Sequence, residues 1–295
     1  MLIDLNVALK CSLEDIPNII NYSDTNSAFR KKIYKTLRSS CKLTESEFRI
    51  LKNWVLNGDN NEDCWPEKIA CGVLPAFLEM KFDEVFDLII TLSESESWGM
   101  REDATWAIRD LFDFNFNIVY PKMYEIAKFG SDYAARGIAV GLARHCRNKK
   151  SEEATPVLEI MSIIAHRRDP YVRKNLGKFA IGDYLLSYYP EETLNYIFKK
   201  WIDNDSEYVR WNAAMSFSTS VASKFYDEAC RALDLLAADP NRMVWRASAS
   251  AMLALYRRTD GRPRYIIDQW VNDDKRKNAG NTVLKFVLRD ENKKK

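Results

Sequence analysis

Five arginines in this chain each follow closely on an aromatic residue. The runs are Trp98-Gly99-Met100-Arg101, Tyr133-Ala134-Ala135-Arg136, Tyr171-Val172-Arg173, Tyr208-Val209-Arg210 and Trp245-Arg246. A guanidinium group held beside the free N–H groups of a helix start can bind phosphate or carboxylate, because the helix dipole adds to its field. An aromatic face beside it can stack on a base or a cation. The same residues also suit a structural role, in which each Arg pairs with an Asp of the adjacent repeat and each aromatic fills the seam between repeats. Both readings stay open at the level of sequence. The candidate binding residues are therefore Arg101, Arg136, Arg173, Arg210, Arg246, Tyr171, Tyr208, Trp211, Trp245 and Lys174.

The elements that carry these residues follow from their spacing. The arginines lie 35, 37, 37 and 36 residues apart, which suits two helices and two short turns per unit. Each run is led by Ser97, Asp132, Asp169, Asp205 or Asp239, residues whose side-chain oxygen caps the first turn of a helix. Pro170 and Pro240 fit early positions, where no N–H is needed. Small residues follow at Ala104, Gly137, Ala139, Gly177, Ala213, Ala214, Ala247 and Ala249, so the second helices can approach their neighbours closely.

A first helix precedes each of these. Residues 82–92, 157–164, 191–202 and 226–237 place apolar side chains at steps of three and four, and strand-type alternation is absent. Weaker pairs are drawn over about 14–39, 44–79 and 262–290. The expectation is an all-α chain, a right-handed α-solenoid of about eight helical pairs running as one array over 1–295. Within it, 1–81 is a divergent N-terminal part, 82–258 holds the clearest repeats, and 259–295 forms a capping pair and a frayed tail.

Charge changes sign along the chain. Residues 1–130 hold 15 Lys+Arg and 21 Asp+Glu, so a formal net of +2 over the whole chain leaves an excess of positive charge in 131–295. An anionic partner would meet the C-terminal half, where Lys178, Arg257, Arg258 and the 275–277 cluster add to the repeated arginines. The six cysteines, 11, 41, 64, 71, 146 and 230, include no C-x-x-C pair, and the two histidines, His145 and His166, cannot assemble a His-rich zinc site. They read as reduced thiols, with no cofactor or metal implied. No targeting leader or membrane-length apolar run stands out, and the expected compartment is the cytoplasm.

Asp169 to Arg173 and Asp205 to Arg210 resemble the HEAT-repeat superfamily, whose helical pairs carry an Asp near the turn and a Val-Arg dipeptide opening the second helix. The resemblance implies a superhelix with the second helices on its concave side and no single activity. The run Tyr208-Val209-Arg210-Trp211-Asn212 is also similar to the HEAT-like alkylpurine DNA glycosylases. That resemblance implies a Trp, a carboxylate one helical turn later and an Arg from the next repeat. The matching positions are Trp98, Glu102 or Asp103, and Arg136. The family has Asp four residues after the Trp, and this chain has Glu102 there.

Other chemistry is poorly served. Asp110 and Asp113 share a helix face without a nearby His, His145 and Cys146 are adjacent and diverge on a helix, and phosphate-loop, G-x-S-x-G and H-E-x-x-H motifs are missing. The expected function is an interaction scaffold binding a macromolecular partner, first a protein, with no catalysis evident and no membrane. The alternative is a DNA-binding relative of the glycosylases, acting in DNA alkylation repair.

Overall fold

A computed structural model describes residues 13–20, 26–40, 42–58, 65–148 and 150–293, and these form helices and turns with no strand among them. Three of the six cysteines, at 11, 41 and 64, lie outside the described residues. The contacts gather into two compact units, 1–122 and 123–295.

In the first unit, a short turn at Ile16–Ile19 is followed by α1 (Ser27–Ser40), α2 (Glu45–Asn57), α3 (Trp65–Val73), α4 (Leu78–Ser93) and α5 (Trp98–Phe114). The boundary then falls inside α6 (Phe116–Phe129). Helix α2 begins at a reciprocal cap: Thr44 accepts from the Glu47 amide while the Glu47 carboxylate accepts from the Thr44 amide. Chain-adjacent helices pair, α2 with α3 and α4 with α5, and the second members α1, α3 and α5 pack in succession. Their buried faces bring together Leu51, Ile69, Leu74, Val85, Ile89 and Ile108, with Phe48 and Phe77 at 5.4 Å between ring centres. Apolar burial of this kind is the main stabilising term, about 25 cal/mol per Å² removed from water.

The second unit continues the scheme with α7 (Asp132–His145), α8 (Ala154–Ala165), α9 (Pro170–Asn175), α10 (Pro190–Tyr196), α11 (Glu207–Ser216), α12 (Tyr226–Ala237), α13 (Arg242–Arg258), α14 (Arg264–Asn272) and α15 (Lys277–Asn292). Helix α9 runs on into a π-helical stretch, Leu176–Leu185, and α10 into another, Ile197–Trp201. The second helices stack in chain order: α7 on α9 and its π extension, that extension on α11, α11 on α13, and α13 on α15. This nearest-neighbour stacking of helical pairs is the α-solenoid scheme that the Arg spacing predicts.

Close approach depends on small residues. A Cβ added at Gly182 would lie 2.5 Å from the Ser216 carbonyl oxygen, and one at Gly177 would lie 3.0 Å from Asn212 Oδ1. The π-helical backbone can therefore lie directly against α11. Ala213, Ala214, Ala247 and Ala249 are buried as their offsets predict.

The caps depart from the sequence expectation at three of five starts. Ser97 and Asp169 cap as expected, the latter accepting from the amides of Tyr171 and Val172. Helix α7 is capped one residue early by Ser131. Helix α11 starts after Ser206 without a side-chain cap, and α13 starts after Asn241, which leaves Pro240 outside the helix. Asp239 accepts instead from the Asn241 amide and faces Arg210.

The fully buried indoles also lie elsewhere than the repeat pattern suggests. Trp211 and Trp245 are half-buried, whereas Trp201 and Trp270 are enclosed. Both enclosed rings find acceptors, Trp201 Nε1 donating to Ser162 Oγ at 3.1 Å and Trp270 Nε1 to Asp234 Oδ1 at 2.7 Å. Trp201→Ala should cost about 3–5 kcal/mol, the range for removing a buried aromatic. Trp211→Ala should cost markedly less. Urea unfolding of the two variants checks the order, and equal losses would contradict the assignment.

Candidate functional site

The repeated Arg sits in the first turns of the second helices, and the environment it meets differs from repeat to repeat. Arg101, buried, uses Nη1 to donate to the carbonyls of Ser95 and Glu96 at 2.6 and 2.8 Å. Arg210 makes the same clamp on the carbonyls of Asn204 and Asp205 at 2.5 and 3.0 Å. In each case the guanidinium reaches back six and five residues and closes the turn that leads into its own helix. Arg210 also donates from Nε and Nη2 to the two oxygens of Asp239 at 2.5 and 3.3 Å, a two-pronged pair to the following repeat.

Two other arginines reach forward to rings. Arg136 lies 5.1 Å from the Tyr171 ring centre, and Tyr133 meets Tyr171 edge to face at 5.9 Å. Arg173 lies 5.4 Å from Tyr208 and 5.1 Å from Trp211, with Nη1 donating to Met243 Sδ at 3.1 Å. Its Nε is buried without a hydrogen-bond partner. These are cation–π contacts, worth about 0.5–2 kcal/mol each according to how far they are withdrawn from water. Alternating guanidinium groups and rings thus line the second-helix seam from α7 to α13. Arg210 pairs with a carboxylate of the adjacent repeat, as the structural reading of the column expects, while Arg101 closes its own turn on backbone carbonyls.

Arg246 differs from the other four. It is exposed, as are Arg242 four residues before it and Lys174 on α9. Neither Arg242 nor Arg246 has a hydrogen-bond, ion-pair or ring partner among the described residues. They flank an open depression of about 650 Å³ whose apolar lining is Trp211, Met215, Met243 and Ala247, with Asn241 and Ser250 at its polar edge. Lys174 occupies on α9 the repeat position that Trp211 holds on α11, so it faces the same side one repeat earlier. Trp245, half-buried, does not line this depression.

The sequence pattern misses Met215, Met243, Arg242, Asn241 and Ser250. A signal was present in the helical spacing, since Met215 lies four residues after Trp211 and Arg242 four before Arg246, each pair on one face.

The residues matching the glycosylase pattern fall in both units. Within the first, Trp98 is 63% exposed, and Glu102 and Asp103 are half-buried. Within the second, Arg136 is buried and engaged with Tyr171 as described. Further into the first unit, Trp106 lies between Lys31 and Arg109, at 4.6 and 5.2 Å. Asp110 pairs there with Arg38 at 2.7 Å and with Arg109, and Arg109 also reaches Asp113 at 3.3 Å. The two carboxylates belong to an ion-pair network.

The buried thiols and histidine stand apart from the seam. His145 Nε2 lies 2.7 Å from Glu153 Oε2, while the Cys146 thiol donates to the Leu142 carbonyl at 3.2 Å, so the sequence neighbours do not face each other. Burial pushes the Cys71, Cys146 and Cys230 thiols up from their ordinary range. A thiol so held is a poor nucleophile. No group of three or more His, Cys, Asp or Glu among the described residues could hold a metal ion, and no helix there is long and apolar enough to cross a membrane.

No family model and no curated protein matches this chain. Solved structures similar to it include a designed armadillo repeat protein in complex with the peptide (KR)4, with a TM-score of 0.31 and 15% identity, over 70% of this chain and 98% of that one. A second designed armadillo repeat protein has a TM-score of 0.29 and 16% identity, over 70% and 98%.

Two predictions follow from the differing arginine environments. Arg210→Ala leaves Asp239, whose side chain is 6% exposed, without its cation, and should destabilise the chain by about 3 kcal/mol. Arg246→Ala should leave the unfolding midpoint unchanged. Thermal unfolding followed by circular dichroism distinguishes the two variants. Separately, N-ethylmaleimide at pH 8 should leave Cys71, Cys146 and Cys230 unmodified in the native protein, read by peptide mass spectrometry; rapid labelling of any of them would contradict its burial.

Proposed function

We propose that the second unit is a binding module which takes an acidic, extended protein segment along its second-helix seam. The observation that supports this most directly is the pair Arg242 and Arg246, exposed and unpartnered on one helix face beside a depression lined by Trp211, Met215 and Met243. Unpartnered cations over an apolar floor favour a ligand that brings carboxylates together with apolar side chains. Lys174, on the same side one repeat earlier, extends the positive field along the stack. The arginines that close turns or cover rings are framework, and they hold the exposed ones in register. Chemistry has no assigned residues in this reading.

A second reading, a nucleic-acid backbone lying along the same row, draws on the exposed Lys174, Lys178, Arg242 and Arg246. In the unit's structure, the faces of Tyr171 and Tyr208 are already engaged by Arg136 and Arg173, which leaves them poor platforms for a run of stacked bases. The protein reading is therefore preferred.

Calorimetric titration of the full chain with a peptide of alternating acidic and aromatic residues, and in parallel with a 20-base-pair duplex, tests the choice. The peptide should bind at low salt, and Arg242→Ser with Arg246→Ser should weaken it about tenfold or more, the loss expected for two charge-assisted contacts. Duplex binding with a steep salt slope, in the absence of peptide binding, would replace the proposal with the second reading.

A further inference from the structure

In the second unit the seam is built so that a repeat hands a group to the arginine before it. Tyr171 is supplied to Arg136, Tyr208 and Trp211 to Arg173, and Asp239 to Arg210. Arg246 stands in the same slot of the next repeat, but in the turn that follows Asp273 is taken by Arg276 at 3.0 Å, and the stretch after it, 275–283, reads KRKNAGNTV. Its guanidinium is consequently left in solvent. Beside it, α13 presents Ala247 where the preceding second helix has Trp211, with Ser250 one turn further on, and the small side chains open the depression next to Trp211, Met215 and Met243.

We infer that this last rung is completed from outside, by an aromatic side chain of an acidic protein segment with a carboxylate next to it in sequence. The ring enters the depression against Trp211 and Met215 and receives Arg246 over its face, while the carboxylate pairs with Arg242. The occupant thereby offers the last arginine a ring and a carboxylate, the kinds of group that Tyr208 and Asp239 offer inside the stack, here from the groove between α11 and α13. The depression, about 650 Å³, has room for an aromatic side chain and part of the flanking backbone. Charge complementarity selects an acidic rather than a basic segment, since neither nearby cation is neutralised by the chain itself. The inference rests on the binding reading above and adds the anchor that the segment must carry.

The test uses the full chain and two blocked pentapeptides, Glu-Asp-Tyr-Asp-Glu and the same peptide with Ala in place of Tyr, titrated calorimetrically at low salt. The tyrosine peptide should bind about tenfold or more tightly than the alanine one, the difference expected for burying an aromatic ring. Ser250→Trp, an exposed position at the edge of the depression, should fill it and abolish that difference, and Arg246→Ser should reduce it. A second route avoids any doubt about folding of the filled variant: the tyrosine peptide should protect Met243 from oxidation by hydrogen peroxide in the unmodified protein, whereas the alanine peptide should not. Equal affinity of the two peptides, with both weakened by Arg246→Ser, would overturn the anchor and leave the acidic-segment reading standing. Failure of both peptides to bind would overturn both.

Discussion

Close contact between successive second helices is the constraint on which the second unit depends. It is possible because the touching positions carry little or no side chain: Gly182 lies against the Ser216 carbonyl, Gly177 against Asn212, and Ala213, Ala214, Ala247 and Ala249 are enclosed. Dense contact of this kind contributes dispersion energy as well as area removed from water. It also sets the distance at which a side chain in the first turn of one helix meets the first turn of the next. An arginine there can span the gap, and a shorter cation could not make the same two-pronged or face-on contacts.

That geometry gives the repeated arginine several uses from one sequence slot. Arg101 and Arg210 secure the turn before their own helix, in the first and second units respectively. Arg136 and Arg173 cover rings from the repeat that follows. Arg246 has no such supply and faces solvent. One sequence slot thus has different surroundings according to whether the next repeat provides a partner. Along α7, α9 and α11 the guanidinium groups meet rings or a carboxylate of the following repeat, and at α13 Arg246 is exposed.

Much of the helical plan was legible in the sequence. The apolar spacing over 226–237 coincides with α12, and the Arg spacing locates every second helix from α5 to α13. The helix starts were harder to place because Ser131, Ser206 and Asn241 compete as caps with the neighbouring Asp132, Asp205 and Asp239, and a cap is decided by backbone angles rather than residue type. The π-helical stretch at Leu176–Leu185 left no mark that apolar periodicity could detect. The arginine environments were illegible for a different reason. Beyond the local clamps of Arg101 and Arg210 on their own turns, the contacts of Arg136, Arg173 and Arg210 are with residues about 30 to 70 positions away, such as Asp239 for Arg210 or Met243 for Arg173, and only the packed stack brings those residues together. The same holds for Trp201 and Trp270, whose enclosure comes from neighbouring helices rather than from the aromatic-Arg motif.

The division between arginines engaged within the stack and those exposed on α13 can be measured directly from the exchange of their Nε protons by nitrogen-15 NMR. In the free protein, the Nε–H of Arg210, bonded to Asp239, should exchange slowly at neutral pH, while those of Arg242 and Arg246 should be lost to rapid exchange. Addition of an acidic aromatic peptide should bring the Arg242 and Arg246 signals into view and leave Arg210 unchanged. A protected Arg246 in the free protein, or an unprotected Arg210, would contradict the account.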